Sequence, residues 1–221
     1  MMVQGRDENG NVIYYRGPLK HSVHVQFLGK NNILLIHGEA KTLSGNIKFY
    51  GDNGHFSLGA MSSFRGSVIV GNKCKVSIGN KTTVTSNCFI NTAEETDVII
   101  GDDCMIASDT ILRTHDSHPI FDVLTQTRMN TAQSIVIGDH VWLGDQVIVL
   151  GGARVAEGSI VGIRGLVTGS IPNNSIAVGS PARVIKTDIA WERPNLNKTK
   201  LNVINNANEI ECSVYWNKTK K

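Results

Sequence analysis

The sequence predicts an all-β chain wound into a parallel β-helix, and three observations predict it. Aliphatic residues recur at every sixth position over a long C-terminal stretch. Glycine is abundant at 22 residues while aromatics make up only 6%, which favours many tight turns over a helical bundle. A period of six matches neither the 3.6 of a helix nor the plain alternation of a hairpin.

From Ile137 the chain reads IGDHVW, LGDQVI, VLGGAR, VAEGSI, VGIRGL and VTGSIP. The first place of each block holds Ile137, Leu143, Val149, Val155, Val161 and Val167. The fifth holds Val141, Val147, Ala153, Ser159, Gly165 and Ile171, mostly small or β-branched. Such a chain runs a short strand, turns, and runs the next strand along another wall of a prism. Three blocks make one coil, and the first-place aliphatics stack into one core. Small fifth-place residues suit crowded corners.

The same period appears upstream in a more broken form. Residues 1–57 are β-rich and predict irregular first coils. Leu58, Phe64 and Val70 head three blocks, with a slip at Val76–Ser77. Further blocks begin at Ile78, Val84, Ile100 and Ile106. Cys74, Cys88 and Cys104 each fall at a fifth place and are expected to be small buried packing residues. A short insert covers Asn91–Val98. A longer interruption, RTHDSHPIFDVLTQTRMNTAQS, spans 113–134 and predicts a loop protruding from the 58–183 β-helix. Such loops tend to carry function. The coils end near Pro181, leaving a C-terminal tail, 184–221, with a short helix.

Composition excludes several classes. The net charge of +3 gives no basic stripe for nucleic acid. The tail lysines Lys198, Lys200, Lys218, Lys220 and Lys221 are expected to be a solvated, partly mobile end. No stretch approaches the roughly 20 apolar residues of a membrane span. The N-terminus lacks the pattern of a secretory signal, so the expected location is the cytoplasm. The four cysteines show no CxxC spacing, which suggests neither zinc nor a disulfide framework.

Three places carry candidate chemistry. His115, Asp116 and His118 lie in the loop, and an imidazole is the side chain best suited to take a proton near neutral pH. Local chemistry alone does not choose between the two histidines. Trp142 occupies the sixth, outward place of its block. It is suited to stack on a ligand, donate its N–H to an oxyanion, or pack against a loop or neighbouring chain. In GSPARVI, Arg183 and the following Lys186 can pair with phosphates, and the run can equally cap the open end of the core.

The repeats, the loop RTHDSHPIFD, the block IGDHVWLG and the ending VGSPARVI together resemble the hexapeptide-repeat acyltransferases, from about Leu58 to Lys186. The pattern HPIFDVLTQTRMN is most similar to the polysialic acid and capsular polysaccharide O-acetyltransferases. The resemblance implies a left-handed β-helix, a homotrimer, acetyl-CoA as acetyl donor in grooves between chains, a saccharide acceptor and no metal. It matches His118, with Asp116 two residues before it, to the catalytic histidine, and Trp142 to a tryptophan of the capsule-modifying members. His115, Asp116, Arg128 and Asn130 become acceptor-side residues. Gly144, Gly162 and Thr168 match positions along the pantetheine arm, and Arg183 and Lys186 positions near the nucleotide phosphates. Gly169 departs from the family, standing where many sugar acetyltransferases carry lysine. Rival acceptors are an antibiotic, a free sugar, an amino sugar or serine. A non-catalytic binding β-helix is the rival of another class.

Overall fold

The computed structural model describes residues 4–15, 20–196 and 204–220. These residues form a left-handed parallel β-helix of about seven turns. Its first wall stacks Val12–Tyr15, Ile33–Ile36, His55–Leu58, Lys75–Ile78, Asp97–Ile100, Ile135–Ile137, Arg154–Val155 and Ser170–Ile171. The second wall carries Thr83–Val84, Met105–Ile106, Trp142–Leu143, Ile160–Val161 and Ile176–Val178. The third carries Cys88–Asn91, Ile111–Arg113, Ile148–Leu150 and Leu166–Val167.

The six-residue period has the physical origin read from it. Ile137, Leu143, Val149, Val155, Val161 and Val167 are all essentially inaccessible to solvent. Each buried aliphatic of this size contributes roughly 1.5–3 kcal/mol relative to exposure. Cys74, Cys88 and Cys104 are buried at the vertices as expected, and Cys212 is exposed. Ile171 corrects the sequence reading. The register advances 18 residues from Val149 to Val167 but only 16 from Val155 to Ile171. The last full turn is two residues shorter, so Ile171 leaves the fifth place and heads the next strand on the first wall.

The coils of 12–58 stack in register on those that follow, with Ile36 opposite Leu58 and Leu58 opposite Ile78. Their period is hidden because Lys20–Phe27, Thr42–Phe49 and Ser63–Val70 are eight-residue strands that run across the second and third walls without a break. Gly45 makes the bend possible in the middle one. Its φ is +111° and a Cβ there would collide with the Gly66 carbonyl. The N-terminal end closes with Gly5–Arg6 running antiparallel to Val12–Tyr15, and the C-terminal end with Arg183–Lys186 antiparallel to Ile176–Val178.

The side chains of Lys218 and Lys220 are exposed as expected, but the described part of the tail is fastened to the body. It descends the vertex between the first and second walls and doubles back. Asn174 Nδ2 donates to the carbonyls of Ile189 and Tyr215. Asn173 binds the backbone of Lys218 and Lys220. The Arg193 guanidinium donates to Asp103 Oδ1 at 2.6 Å, to Thr83 Oγ1 and to the carbonyls of Lys81, Asp103 and Cys104. His140 is sandwiched between Trp191 and Tyr215, with ring centroids 4.0 and 4.6 Å away. The helix expected here is a single 3-10 turn, Ala207–Glu209. Lys198, Lys200 and Lys221 lie outside the described residues.

Candidate active site

The long loop leaves the third wall after Arg113 and rejoins the first at Ile135, so it springs from the vertex opposite the wall that carries Trp142. Asn130 organises it. Its Nδ2 donates to the His118 carbonyl at 2.8 Å and to Asp116 Oδ2 at 3.0 Å, and its Oδ1 accepts from Ile120 N at 2.7 Å. Arg128 Nη2 pairs with Glu94 Oε1 at 2.6 Å, and Ala132 N donates to Glu94 Oε2. The Arg128 guanidinium first, then that backbone N–H, hold the Glu94 carboxyl below the usual carboxylate range. Glu94 sits in the short insert of the preceding coil, and so ties the loop to the body. Sequence reasoning passed over this residue, because its partner lies 34 positions away.

Two histidines left open by local chemistry now differ. His118 is exposed, and its ring has no hydrogen-bond partner among the described residues. His115 folds inward. Its Nδ1 accepts the Ser117 N–H at 3.1 Å, which puts the proton of the neutral ring on Nε2. That Nε2 is buried without a partner. Burial first, and the Arg113 guanidinium second, hold the His115 pKa below the ordinary imidazole value.

Trp142 points outward at 36% exposure, stacked between Met105 and Ile160 of adjacent coils. Its ring lies 5.9 Å from that of Trp191. Together with Met105 and the tail residues Arg193, Pro194 and Leu196 it lines a groove of about 450 Å³. The loop that carries His118 leaves the prism at the vertex opposite Trp142, and no hydrogen bond, ion pair or ring contact joins the two among the described residues.

Of the residues matched to the donor, Gly144 and Gly162 stack on adjacent coils, while Arg183 and Lys186 lie on the closing strand. Gly144 and Gly162 donate their N–H groups to the Val161 and Ala177 carbonyls, and their own carbonyls accept from Val147 and Gly165. Only a second carbonyl lone pair is left at each for a pantetheine amide, a donor-type contact that fits. Thr168 is exposed beside Gly169, and a Cβ at Gly169 would meet open space. Arg183 and Lys186 are both exposed on the closing antiparallel strand. No cluster of three or more metal-ligating side chains occurs among the described residues.

His140, Trp191 and Arg193 were missed. The available signal was that two of the three tryptophans, Trp191 and Trp216, lie in a tail read as solvated.

Comparison with known proteins agrees with this architecture. The chain is 37% identical over 132 residues to a polysialic acid O-acetyltransferase of Escherichia coli O1:K1, covering 60% of this chain and 43% of that protein. It is 32% identical over 183 residues to the polysialic acid O-acetyltransferase of Neisseria meningitidis, covering 82% of this chain and 85% of that one. It thus spans less than half of the first relative and most of the second. The crystal structure of the polySia-specific acetyltransferase NeuO superimposes with a TM-score of 0.78 at 36% identity, covering 86% of this chain and 81% of that one. The polysialic acid O-acetyltransferase OatWY gives 0.71 at 27% identity, covering 86% and 95%. No family model matches the sequence. With 32% identity over 82% of its own length and 85% of that of the Neisseria meningitidis relative, the chain belongs to the hexapeptide-repeat O-acetyltransferases.

Proposed function

We propose that the chain transfers an acetyl group from acetyl-CoA to a hydroxyl of a sialic-acid-containing capsular or surface polysaccharide, working as a homotrimer in the cytoplasm, where that donor is made. The observation that carries this reading is the exposed His118 on a loop braced by Asn130, Arg128 and Glu94, in a chain whose relatives carry the same activity in their names.

His118 takes the proton of the sugar hydroxyl as that oxygen bonds to the acyl carbon. The carbon–sulfur bond then breaks, and the imidazolium returns the proton to the departing thiolate. A base so placed contributes about 10²–10⁴ in rate. The N–H of Trp142, or a backbone amide, donates to the oxyanion. A covalent acyl-enzyme is disfavoured, because burial pushes the thiols of Cys88 and Cys104 up to about 12. The opposed positions of His118 and Trp142 support a site shared between chains, in which the loop of one subunit meets the tryptophan wall of the next. Gly144, Gly162 and Thr168 would hold the pantetheine arm, and Arg183 and Lys186 the nucleotide phosphates.

The test is thiol release from acetyl-CoA with a panel of acceptors: a sialic-acid oligomer, a galactoside, an amino sugar, serine and an aminoglycoside. Release with the sialic-acid oligomer above the rest is expected. Release with another acceptor alone moves the substrate, and absence of CoA binding removes the enzyme reading. Light scattering should give three chains per particle.

A further inference from the structure

We infer that the cavity beside Tyr50 is a second sugar subsite, which takes an anionic residue of the acceptor polymer a few units away from the one being acetylated. This rests on the acceptor proposed above and deepens it.

The cavity holds about 320 Å³ and lies at the vertex from which the catalytic loop springs, toward the N-terminal coils. Tyr50, Asn72, Asn91, Glu94 and His115 are among its lining residues. His115 belongs to the loop and Glu94 braces it, so the cavity adjoins the candidate base rather than standing apart. Tyr50 is 60% exposed, directly after the buried Phe49. A half-wet aromatic ring is a platform for the C–H face of a pyranose. The Lys48 ammonium lies 4.6 Å from the ring centroid and brings a positive charge to that platform.

Register explains how these groups line up. Lys48, Ile69, Asn91 and Arg113 are opposite one another in successive coils and form one outward column on the third wall. With about 4.8 Å per coil, Lys48 and Arg113 are about 14 Å apart. That span exceeds one sugar ring, so it suits a chain and not a monosaccharide. The column continues to Gln26 on one side and Leu150 on the other, and Lys48 and Arg113 are its two cations over this stretch. Of the acids near His115, Glu94 is paired with Arg128 at 2.6 Å and Asp116 accepts from Asn130 Nδ2 at 3.0 Å. The column therefore favours a sugar that carries a carboxylate over a neutral one.

The experiment measures binding by calorimetry to the full chain without acetyl-CoA, so that chemistry plays no part. The probes are a sialic-acid oligomer and a neutral glucan oligomer of equal length. The wild type should bind the acidic oligomer more tightly. Tyr50→Ala should weaken that binding about tenfold, and Lys48→Gln should weaken it less while flattening its dependence on salt. Val214→Ser, on the exposed tail, is the control and should bind as wild type. Unchanged affinity in Tyr50→Ala overturns the subsite and leaves the proposed activity standing. Equal affinity for the neutral oligomer overturns the anionic assignment. A wild type that binds neither oligomer overturns both the subsite and the acceptor.

Discussion

The indole of Trp191 stacks on the imidazole of His140 at a centroid distance of 4.0 Å and an angle of 13°, and its Nε1 donates back to the His140 carbonyl. His140 Nε2 in turn donates to the Trp191 carbonyl at 2.9 Å, and its Nδ1 lies 2.7 Å from Asp103 Oδ2. One tail residue is thus fastened to one vertex residue by ring and backbone together. Trp191 is 6% exposed. Trp191→Ala should lower stability by roughly 3–5 kcal/mol. Trp191→Phe should recover most of this, as measured by urea denaturation. Because Trp191 also flanks Trp142, the Ala variant should shift the emission of the remaining indoles.

His118→Ala should cut turnover by at least 10²-fold while leaving the affinity for CoA nearly intact, since His118 is not among the residues matched to the donor. Steady-state rates and CoA calorimetry read the two quantities separately. Unchanged turnover would reassign the base.

Thiol reactivity follows burial. Desolvation pushes Cys88 and Cys104 up to about 12 and raises Cys74, whereas Cys212 is exposed. At mildly alkaline pH a chromogenic disulfide should titrate Cys212 rapidly in the folded chain and all four cysteines only after denaturation. Fast labelling of a second thiol in the native state would contradict the packing of the vertices.

The two histidines His55 and His115 are held below 6.5 chiefly by burial. The folded state therefore resists a proton that the unfolded state accepts. Their contribution to stability is complete above pH 6.5 and is lost as pH falls through the lower folded values. The urea midpoint should decline on acidification below pH 6.5, before the carboxylates titrate. A His55→Gln/His115→Gln double variant should show a flatter decline over the same range.

Gly45→Ala should be costly although the added group is small. The residue sits at φ +111° against the Gly66 carbonyl, so the substitution meets both a forbidden backbone region and a clash. A loss of roughly 1–3 kcal/mol is expected, visible in the thermal midpoint.

The parts legible in the sequence were those dictated by local spacing. An inward side chain in a coil must be apolar whatever it touches, so Ile137 through Val167 announced the core. The loop announced itself by breaking that spacing. What stayed hidden depends on contacts between distant positions. Arg193 meets Asp103 across 90 residues, and nothing in the neighbourhood of either predicts the pair. That the His115 ring turns inward while the His118 ring stays exposed was likewise invisible in the local sequence. The two-residue shortening before Ile171 was missed because an aliphatic fits the fifth place as well as the first.

The antiparallel pieces at the two extremities carry a consequence for assembly. A stack of coils is open-ended: its terminal rungs offer unpaired amides and carbonyls to which another copy can add, and repeated addition makes a fibre. Gly5–Arg6 and Arg183–Lys186 reverse the strand direction at those rungs. A second molecule arriving end-on finds the wrong polarity and, at one side, a pair of cations. Growth along the axis is thereby discouraged, and association is steered to the flanks, where a closed ring of a few subunits can form.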